Sequence, residues 1–152
     1  MGNRAVITAK VDLSGVGVYL HWNGGRDSVE AFLAYCRMKG YRSPESDDYG
    51  WAMLAGVITN FFADGHSCGV TLCRELACDH YDNGVFVIAD WMITARVFRR
   101  SGEQYEHDLR EFIKGIDEAQ PKSMRLTQDE WDRFEEVENL VKQARNNTQD
   151  IK

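Results

Sequence analysis

The chain has 152 residues, of which 43% are hydrophobic and 28% are charged, a composition typical of one globular domain. Its net charge of -6 argues against a protein that grips nucleic-acid phosphates over a broad basic face. No apolar run reaches the roughly 18–20 residues of a membrane span. Residues 1–10 lack an apolar signal core, so we expect a cytoplasmic protein with no membrane contact.

The first half of the chain predicts two strands followed by two helices. Residues 4–10 and 16–22 are rich in β-branched and aromatic residues and flank a polar turn, which is typical of a β-hairpin. A helix is predicted over about 27–39, with Asp27 as its N-cap. A second helix over about 48–63 is apolar around much of its circumference, so we expect it to be the most buried helix.

Three further strands are predicted in the middle of the chain. They lie at residues 67–74, 85–88 and 92–99. The sequence Asp82-Asn83-Gly84 comes just before the second of these strands and predicts a hairpin turn. Asp90 allows a second reversal between the last two strands.

The last third of the chain predicts two helices. An apolar stripe from Tyr105 to Ile116 indicates the first, and Thr127 with Glu130 forms a capping box that begins the second. Residues 147–152 are polar, so we expect a frayed tail.

Together these elements predict the order ββααβββαα in a single α+β domain over residues 1–152. Strands joined by tight turns favour a mostly antiparallel sheet with helices packed on one side. The acidic helical segment 103–146 forms the expected C-terminal helical hairpin. Acidity is concentrated there, since residues 101–152 carry 13 Asp and Glu against 8 Lys and Arg.

One candidate ligand site is the loop between the second strand and the first helix. Free N–H groups at the start of a helix bind anions, glycines allow close approach, and an arginine adds charge. The competing interpretation is a tight turn with a purely structural role, because no known phosphate-binding motif is present. The residues of this candidate site are His21, Trp22, Asn23, Gly24, Gly25 and Arg26.

A second candidate is a stretch rich in cysteine and histidine. Zinc could take four ligands there, namely His66, Cys68, Cys78 and His80. The spacing matches no common zinc motif, and reduced cysteines are common in cytosolic cores. We therefore expect no metal and no other cofactor, and no catalytic residue is assigned.

A third candidate is the cluster of arginines at the end of the last predicted strand. Arg96, Arg99 and Arg100 could hold a phosphate or an acidic partner. The interpretation we favour is that they form ion pairs with the acidic stretch at 103–108.

The acidic residues of the last helix are a candidate partner surface. A solvated helix face explains them without any function. The functional alternative is a surface that imitates the phosphate array of a nucleic acid and docks on a basic groove of another protein. The residues of this surface are Asp129, Asp132, Glu135, Glu136 and Glu138.

The segments Tyr19–Cys36, Tyr49-Gly50-Trp51-Ala52 and Asn60-Phe61-Phe62 resemble small accessory proteins of bacteriophages and integrated mobile elements of bacteria. The resemblance covers about residues 1–100. It implies a non-enzymatic protein in a bacterial host cell that binds a host protein or complex and inhibits an antiviral defence system. The alternative is a protein that sequesters a small phosphorylated or nucleotide ligand, and a third is a small cysteine or metal-dependent enzyme.

Overall fold

The computed structural model describes residues 2–63, 66–80, 82–100 and 102–152 of the chain. It confirms an α+β fold with a C-terminal helical hairpin. The strands are β1 (Ala5–Thr8), β2 (Val16–Leu20), β3 (Cys68–Leu72), β4 (Val85–Ala89), β5 (Met92–Val97) and β6 (Gln149–Ile151). The helices are α1 (Arg26–Met38), α2 (Asp48–Phe62), α3 (Leu109–Ala119), α4 (Gln128–Trp131) and α5 (Phe134–Asn147).

The six strands form one mixed sheet in the order β3-β2-β1-β4-β5-β6. As predicted, most pairings are antiparallel, and only β1 with β4 and β5 with β6 run parallel. The hairpin predicted at Asp82-Asn83-Gly84 is wrong, because β3 and β4 are not neighbours in the sheet. This segment instead brings the chain beside β1, with which β4 then pairs. Asn83 N–H donates to the Arg4 carbonyl, and the Gly84 carbonyl accepts from Val6 N–H.

The two faces of the sheet are covered differently. The main apolar core lies on the side where the helices pack, and the helices supply most of its side chains. The opposite face carries a smaller cluster built from the strands and from the segment after β3, which contributes Cys73, Leu76 and Cys78. Helices therefore cover one side of the sheet, as the sequence predicts.

The most buried helix is α1, so the prediction that α2 would be the most buried is wrong. Nearly every residue of α1 is buried, because the helix packs against α2, α3, α5 and β5. In α2 only Gly50, Leu54, Val57 and Ile58 are buried, since this helix lies at the edge of the layer. The apolar circumference of α2 therefore remains partly uncovered.

The start of α1 also differs from the prediction. Gly25, not Asp27, is the N-cap, and the helix begins at Arg26. The carboxylate of Asp27 accepts hydrogen bonds from the N–H groups of Glu106 (2.6 Å) and His107 (2.8 Å). Asp27 therefore fixes the loop before α3 through Oδ2, while its Oδ1 accepts from Ser28 N–H in the first turn of its own helix at 2.8 Å.

The C-terminal third follows the prediction at its capping box and departs from it at its end. Thr127 and Glu130 form the reciprocal capping bonds at the start of α4. Residues 149–151, predicted to fray, form β6 and pair parallel with β5. Tyr105 lies outside α3, which begins after the cap residue Asp108.

Candidate functional site

The acidic surface on α4 and α5 is held rigidly by an apolar stripe. Phe134, Val137 and Val141 are buried against the main core, where α5 packs on α1 and β5. A helix anchored along one stripe must direct its remaining positions outward. The residues so directed form what we call the acidic face: Asp129, Asp132, Glu135 and Glu136, which are exposed, and Glu138, which is half-buried.

The arginines near the acidic face are turned toward the protein itself. Arg133 donates to the carbonyl of Met38 at 2.8 Å, and Arg125 donates to the carbonyls of Gln120 and Glu118. These guanidinium groups donate to backbone acceptors and form no ion pair with the acidic face among the described residues. The carboxylates of the acidic face are therefore not neutralised by direct pairing with these arginines.

Two carboxylates of the acidic face have local partners, and three are open. Asp132 accepts from the Gln128 amide at 2.8 Å, and Glu138 lies 3.7 Å from the Lys142 ammonium. Within the described ranges, Asp129, Glu135 and Glu136 have no hydrogen-bond or ion-pair partner. Three unpaired carboxylates on a fixed helix leave a net negative surface for a partner.

Glu130 belongs to the same helical turn but has a structural role. Its carboxylate accepts from Thr127 N–H at 2.9 Å and from the Lys39 ammonium at 3.1 Å. Burial alone would raise the pKa of Glu130, but these hydrogen bonds and the Lys39 charge lower it overall. Glu130 is therefore not part of the acidic face.

The structure places most of the predicted glycine-rich ligand loop inside the protein. Of the six residues 21–26, only Trp22 is exposed, with an exposed fraction of 46%. Gly24 packs so closely that a Cβ there would collide with the Asn3 carbonyl, and one on Gly25 would collide with Gln104. These glycines serve close backbone packing.

Residues 103–107 cover the N-terminus of α1, where an anion was expected. The Asp27 N–H donates to the Gln104 carbonyl at 3.2 Å. Arg26, expected at the surface, is buried, with an exposed side-chain fraction of 2%. Its guanidinium lies 3.0 Å from the Glu30 carboxylate and 3.2 Å from the Glu103 carboxylate. The chain therefore supplies its own anions to Arg26.

Arg26 belongs to an ionic cluster that joins α1, β5, the loop after β5 and α5, and that is largely buried except at Arg145, whose side chain is 34% exposed. Its members are Arg26, Glu30, Arg96, Glu103 and Arg145. Arg145 lies 2.6 Å from Glu30, and Arg96 lies 2.5 Å from Glu103. Burial lowers the pKa of Arg96, and the Glu103 carboxylate partly offsets that effect. Two signals in the sequence indicate parts of this cluster, namely the i, i+4 spacing of Arg26 and Glu30 and the acidic stretch at 103–108 that follows Arg96.

The three arginines at the end of β5 have separate partners. Arg96 pairs with Glu103, as the favoured interpretation predicts. Arg99 instead pairs with Asp150 of β6, and Arg100 pairs with Asp79. These two ion pairs lie outside the predicted partner stretch at 103–108. The hydrogen bond to Asp150 raises the pKa of Arg99, and the charge of Glu103 makes a smaller contribution in the same direction.

The sheet separates the cysteines and histidines considered as zinc ligands. Cys68 packs on the helical side, whereas Cys78 lies in the cluster on the opposite face. Within residues 2–63, 66–80, 82–100 and 102–152, no three His, Cys, Asp or Glu side chains are grouped to hold a metal ion. Burial raises the pKa of Cys68 and of Cys78 to about 11, so both thiols are protonated at neutral pH.

A comparison with known protein families, curated proteins and solved structures finds no match to this chain. None of the helices in the part of the chain that the structure describes combines the length and apolar character needed to cross a membrane. Function must therefore be inferred from the surfaces of the protein itself.

Proposed function

We propose that this chain is a non-enzymatic binding protein whose acidic face docks on a basic surface of a host macromolecule. The observation that carries this proposal is the display of Asp129, Glu135 and Glu136 on an anchored helical segment, with no hydrogen-bond or ion-pair partner among the residues that the structure describes. The arginines of the same segment, Arg125 and Arg133, donate to backbone carbonyls. Electrostatic complementarity of this kind accelerates association and selects partners.

The chemistry of the acidic face favours a partner that normally binds phosphates. Carboxylates fixed on successive helical turns offer regularly spaced negative charges, and a basic groove that holds nucleic acid would accept them. Such a partner would supply the Lys and Arg side chains that the unpaired carboxylates of the acidic face lack within this chain. The proposed partner is therefore a host protein or complex with a nucleic-acid groove.

The resemblance of residues 19–36 to accessory proteins of bacteriophages and mobile elements supports a particular class of partner. Within that class, we propose that the target belongs to a bacterial antiviral defence system and that docking inhibits it in the cytoplasm of the host cell. Blocking a nucleic-acid groove is sufficient for inhibition and requires no chemistry from the inhibitor.

The state of the thiols supports binding in preference to nucleophilic catalysis. Burial raises the pKa of Cys68 and Cys78 to about 11, and Cys36 is fully buried in the core. A thiol nucleophile needs the opposite environment, with a nearby cation or base that lowers its pKa.

The experiment compares two triple charge reversals that change the net charge equally. In the test variant Asp132, Glu135 and Glu136 become Lys. In the control variant the exposed residues Glu106, Glu111 and Glu118, which lie outside the acidic face, become Lys. Each protein is immobilised, host-cell proteins are captured, and the association rate of the captured partner is measured at two salt concentrations.

We expect the test variant to associate at least about tenfold more slowly than wild type, because steering depends on local complementarity. The wild-type rate should also fall as salt rises, since charges are screened over about 8–10 Å. The association rate of the control variant should decrease much less. An equal decrease of the association rate in both variants, or no decrease in the test variant, would contradict the proposal.

A further inference from the structure

We propose that the protein forms a symmetric dimer in which β3 pairs antiparallel with β3 of a second copy. The two α2 helices contact each other next to this pair of strands. This interface lies at the edge of the sheet opposite the acidic face and does not depend on the function proposed above. Two independent features, the edge strand and the uncovered helix, support it.

The first feature is that β3 is an unprotected edge strand. It contains no charged residue and no proline, and its side chains Val70 and Leu72 are 50% and 36% exposed. Exposed apolar edge strands invite pairing with another strand, and charges or short length normally prevent this. The other edge of the sheet has such protection, because β6 has only three residues and carries Asp150 in an ion pair with Arg99.

The hydrogen-bonding direction of β3 identifies the groups that are available. His21 N–H donates to the Ser67 carbonyl, and Cys73 N–H donates to the Gly15 carbonyl. Antiparallel pairs alternate in their bonding direction, so Gly69 and Thr71 also face β2. The N–H and C=O groups of the three residues between them therefore point away from the sheet, namely Cys68, Val70 and Leu72.

These outward groups are symmetric about Val70, which suits a second copy of the same strand. A two-fold axis at Val70 places Val70 opposite its copy and Cys68 opposite Leu72. Every outward N–H and C=O group of the three residues then has a partner, as in a regular antiparallel ladder. The same residues carry the exposed apolar side chains, so backbone and side-chain pairing coincide.

The second feature is the uncovered surface of α2, the helix that packs nearest to β3. After its first residue, Asp48, the helix has no charged side chain, yet only four of its residues are buried. A helix that is apolar all round is normally covered on all sides. Ala52 is exposed, and a Cβ on Gly56 would meet no atom within 4 Å, so small residues leave room for a second helix.

Charge distribution also favours this arrangement of the two copies. Each chain carries a net charge of -6, mostly from its C-terminal third, and α5 packs on β5 at the far side of the sheet. With strands about 4.8 Å apart, the two β6 strands of a twelve-stranded sheet lie about 50 Å apart. That separation exceeds the screening length of about 8–10 Å, so charges near the two β6 strands do not repel each other strongly. The part of the acidic segment that packs on α2 is α3, in which three carboxylates are accompanied by Arg110 and Lys114.

The first test measures mass against protein concentration by sedimentation equilibrium. Wild type should approach twice the chain mass of 17.4 kDa as concentration rises. In the Val70→Lys variant each lysine faces its own copy, so self-association should weaken at least about tenfold. The matched control is Gln149→Lys on the opposite edge strand, which should dimerise like wild type, and circular dichroism confirms that both variants are folded.

The second test checks the register by disulfide formation in a Cys68→Ser background. Val70→Cys places two thiols across the axis at a Cα separation of about 5.5 Å, which a disulfide can bridge. The exposed neighbour Thr71→Cys faces the other side of the strand and serves as the control. With copper–phenanthroline as oxidant, we expect covalent dimers of Val70→Cys to form at least about tenfold faster than covalent dimers of Thr71→Cys.

Three outcomes would overturn the dimer. Wild type could remain monomeric at all concentrations, Val70→Lys could dimerise as well as Gln149→Lys, or the two cysteine variants could cross-link equally. The last two would show that another surface mediates self-association or that a foreign strand is the true partner of β3. None of these outcomes bears on binding by the acidic face, which is measured separately.

Discussion

The guanidinium of Arg26 and the carboxylate of Glu103 lie 3.2 Å apart inside the protein, although 77 residues separate them in the sequence. Arg26 also donates to the Glu30 carboxylate and to the Thr148 hydroxyl. The Arg26 side chain on α1 therefore forms hydrogen bonds with both the loop after β5 and the segment before β6. These hydrogen bonds join three parts of the chain through one buried side chain, so Arg26 should contribute to stability.

Replacing Arg26 by Met should destabilise the protein by about 2–4 kcal/mol, because its hydrogen bonds to Glu30, Glu103 and Thr148 are lost. Glu30 keeps its ion pair with Arg145 and Glu103 keeps its ion pair with Arg96, so neither carboxylate loses its last cation. The control is Arg42→Met, since the Arg42 side chain is 66% exposed and its ion pair with Asp47 should contribute less than about 1 kcal/mol. Urea unfolding of both variants measures the free energies. Similar losses for the two variants would show that the buried cluster is not a stabilising unit.

Truncation after Asn147 should destabilise the protein by several kcal/mol. It removes the Thr148 hydroxyl that Arg26 contacts, the β6 ladder and the ion pair of Asp150 with Arg99, at about 1 kcal/mol for each hydrogen bond lost. Truncation after Ile151 serves as the control and should have little effect. Unchanged thermal unfolding of the shorter chain would restore the expectation of a frayed tail.

The stability of the protein should fall as pH decreases from about 6.5. Burial lowers the pKa of His80, and its Nε2 atom is buried with no hydrogen-bond partner among the described residues. The unfolded chain, where the pKa of histidine is about 6.5, therefore takes up a proton before the folded protein does. We expect the urea midpoint to drop between pH 7.5 and 5.5, and the drop to be smaller in His80→Gln. Equal drops in the two proteins would contradict this role of His80.

The cysteines of the folded protein should react slowly with a thiol reagent at pH 7.5. A pKa of about 11 leaves Cys68 and Cys78 with about 100-fold less thiolate than free cysteine, and Cys36 and Cys73 are buried. All four thiols should react rapidly once the protein is unfolded, since all four cysteines are free. A native thiol that reacts as fast as free cysteine would point instead to an activated nucleophile.

Local signals in the sequence are sufficient for all the helices and strands up to β5 and for one cap. The Thr127–Glu130 capping box depends on neighbouring residues alone, so it could be predicted from spacing. β6 could not, because Gln149–Ile151 has no apolar pattern and becomes a strand only through pairing with β5. Likewise, Asp27 matches an N-cap pattern, but distant N–H groups of the loop before α3 occupy its carboxylate.

The candidate sites also combine features that neighbouring residues determine with features that only distant contacts determine. The exposure of the acidic face follows from helical periodicity once the apolar stripe of α5 is identified, so it could be predicted. The burial of Arg26 depends on Glu103, and no local pattern connects residues so far apart. The apolar character of α2 follows from its sequence, but its position at the edge of the layer is a property of the whole fold.

The strand order has a consequence for how the chain could be divided. β3, β2 and β1 come from residues before 73, and β4, β5 and β6 come from residues after 84, so the sheet consists of two contiguous halves that meet only along β1 and β4. A cleavage between Cys73 and Gly84 would leave each fragment with three neighbouring strands and its own helices. The molecule is thus suited to fragment complementation, in which two separately expressed pieces would restore the protein by forming the parallel β1–β4 pair, the Arg26–Glu103 contact and the packing of α1 on α3 and α5 and of α2 on α3.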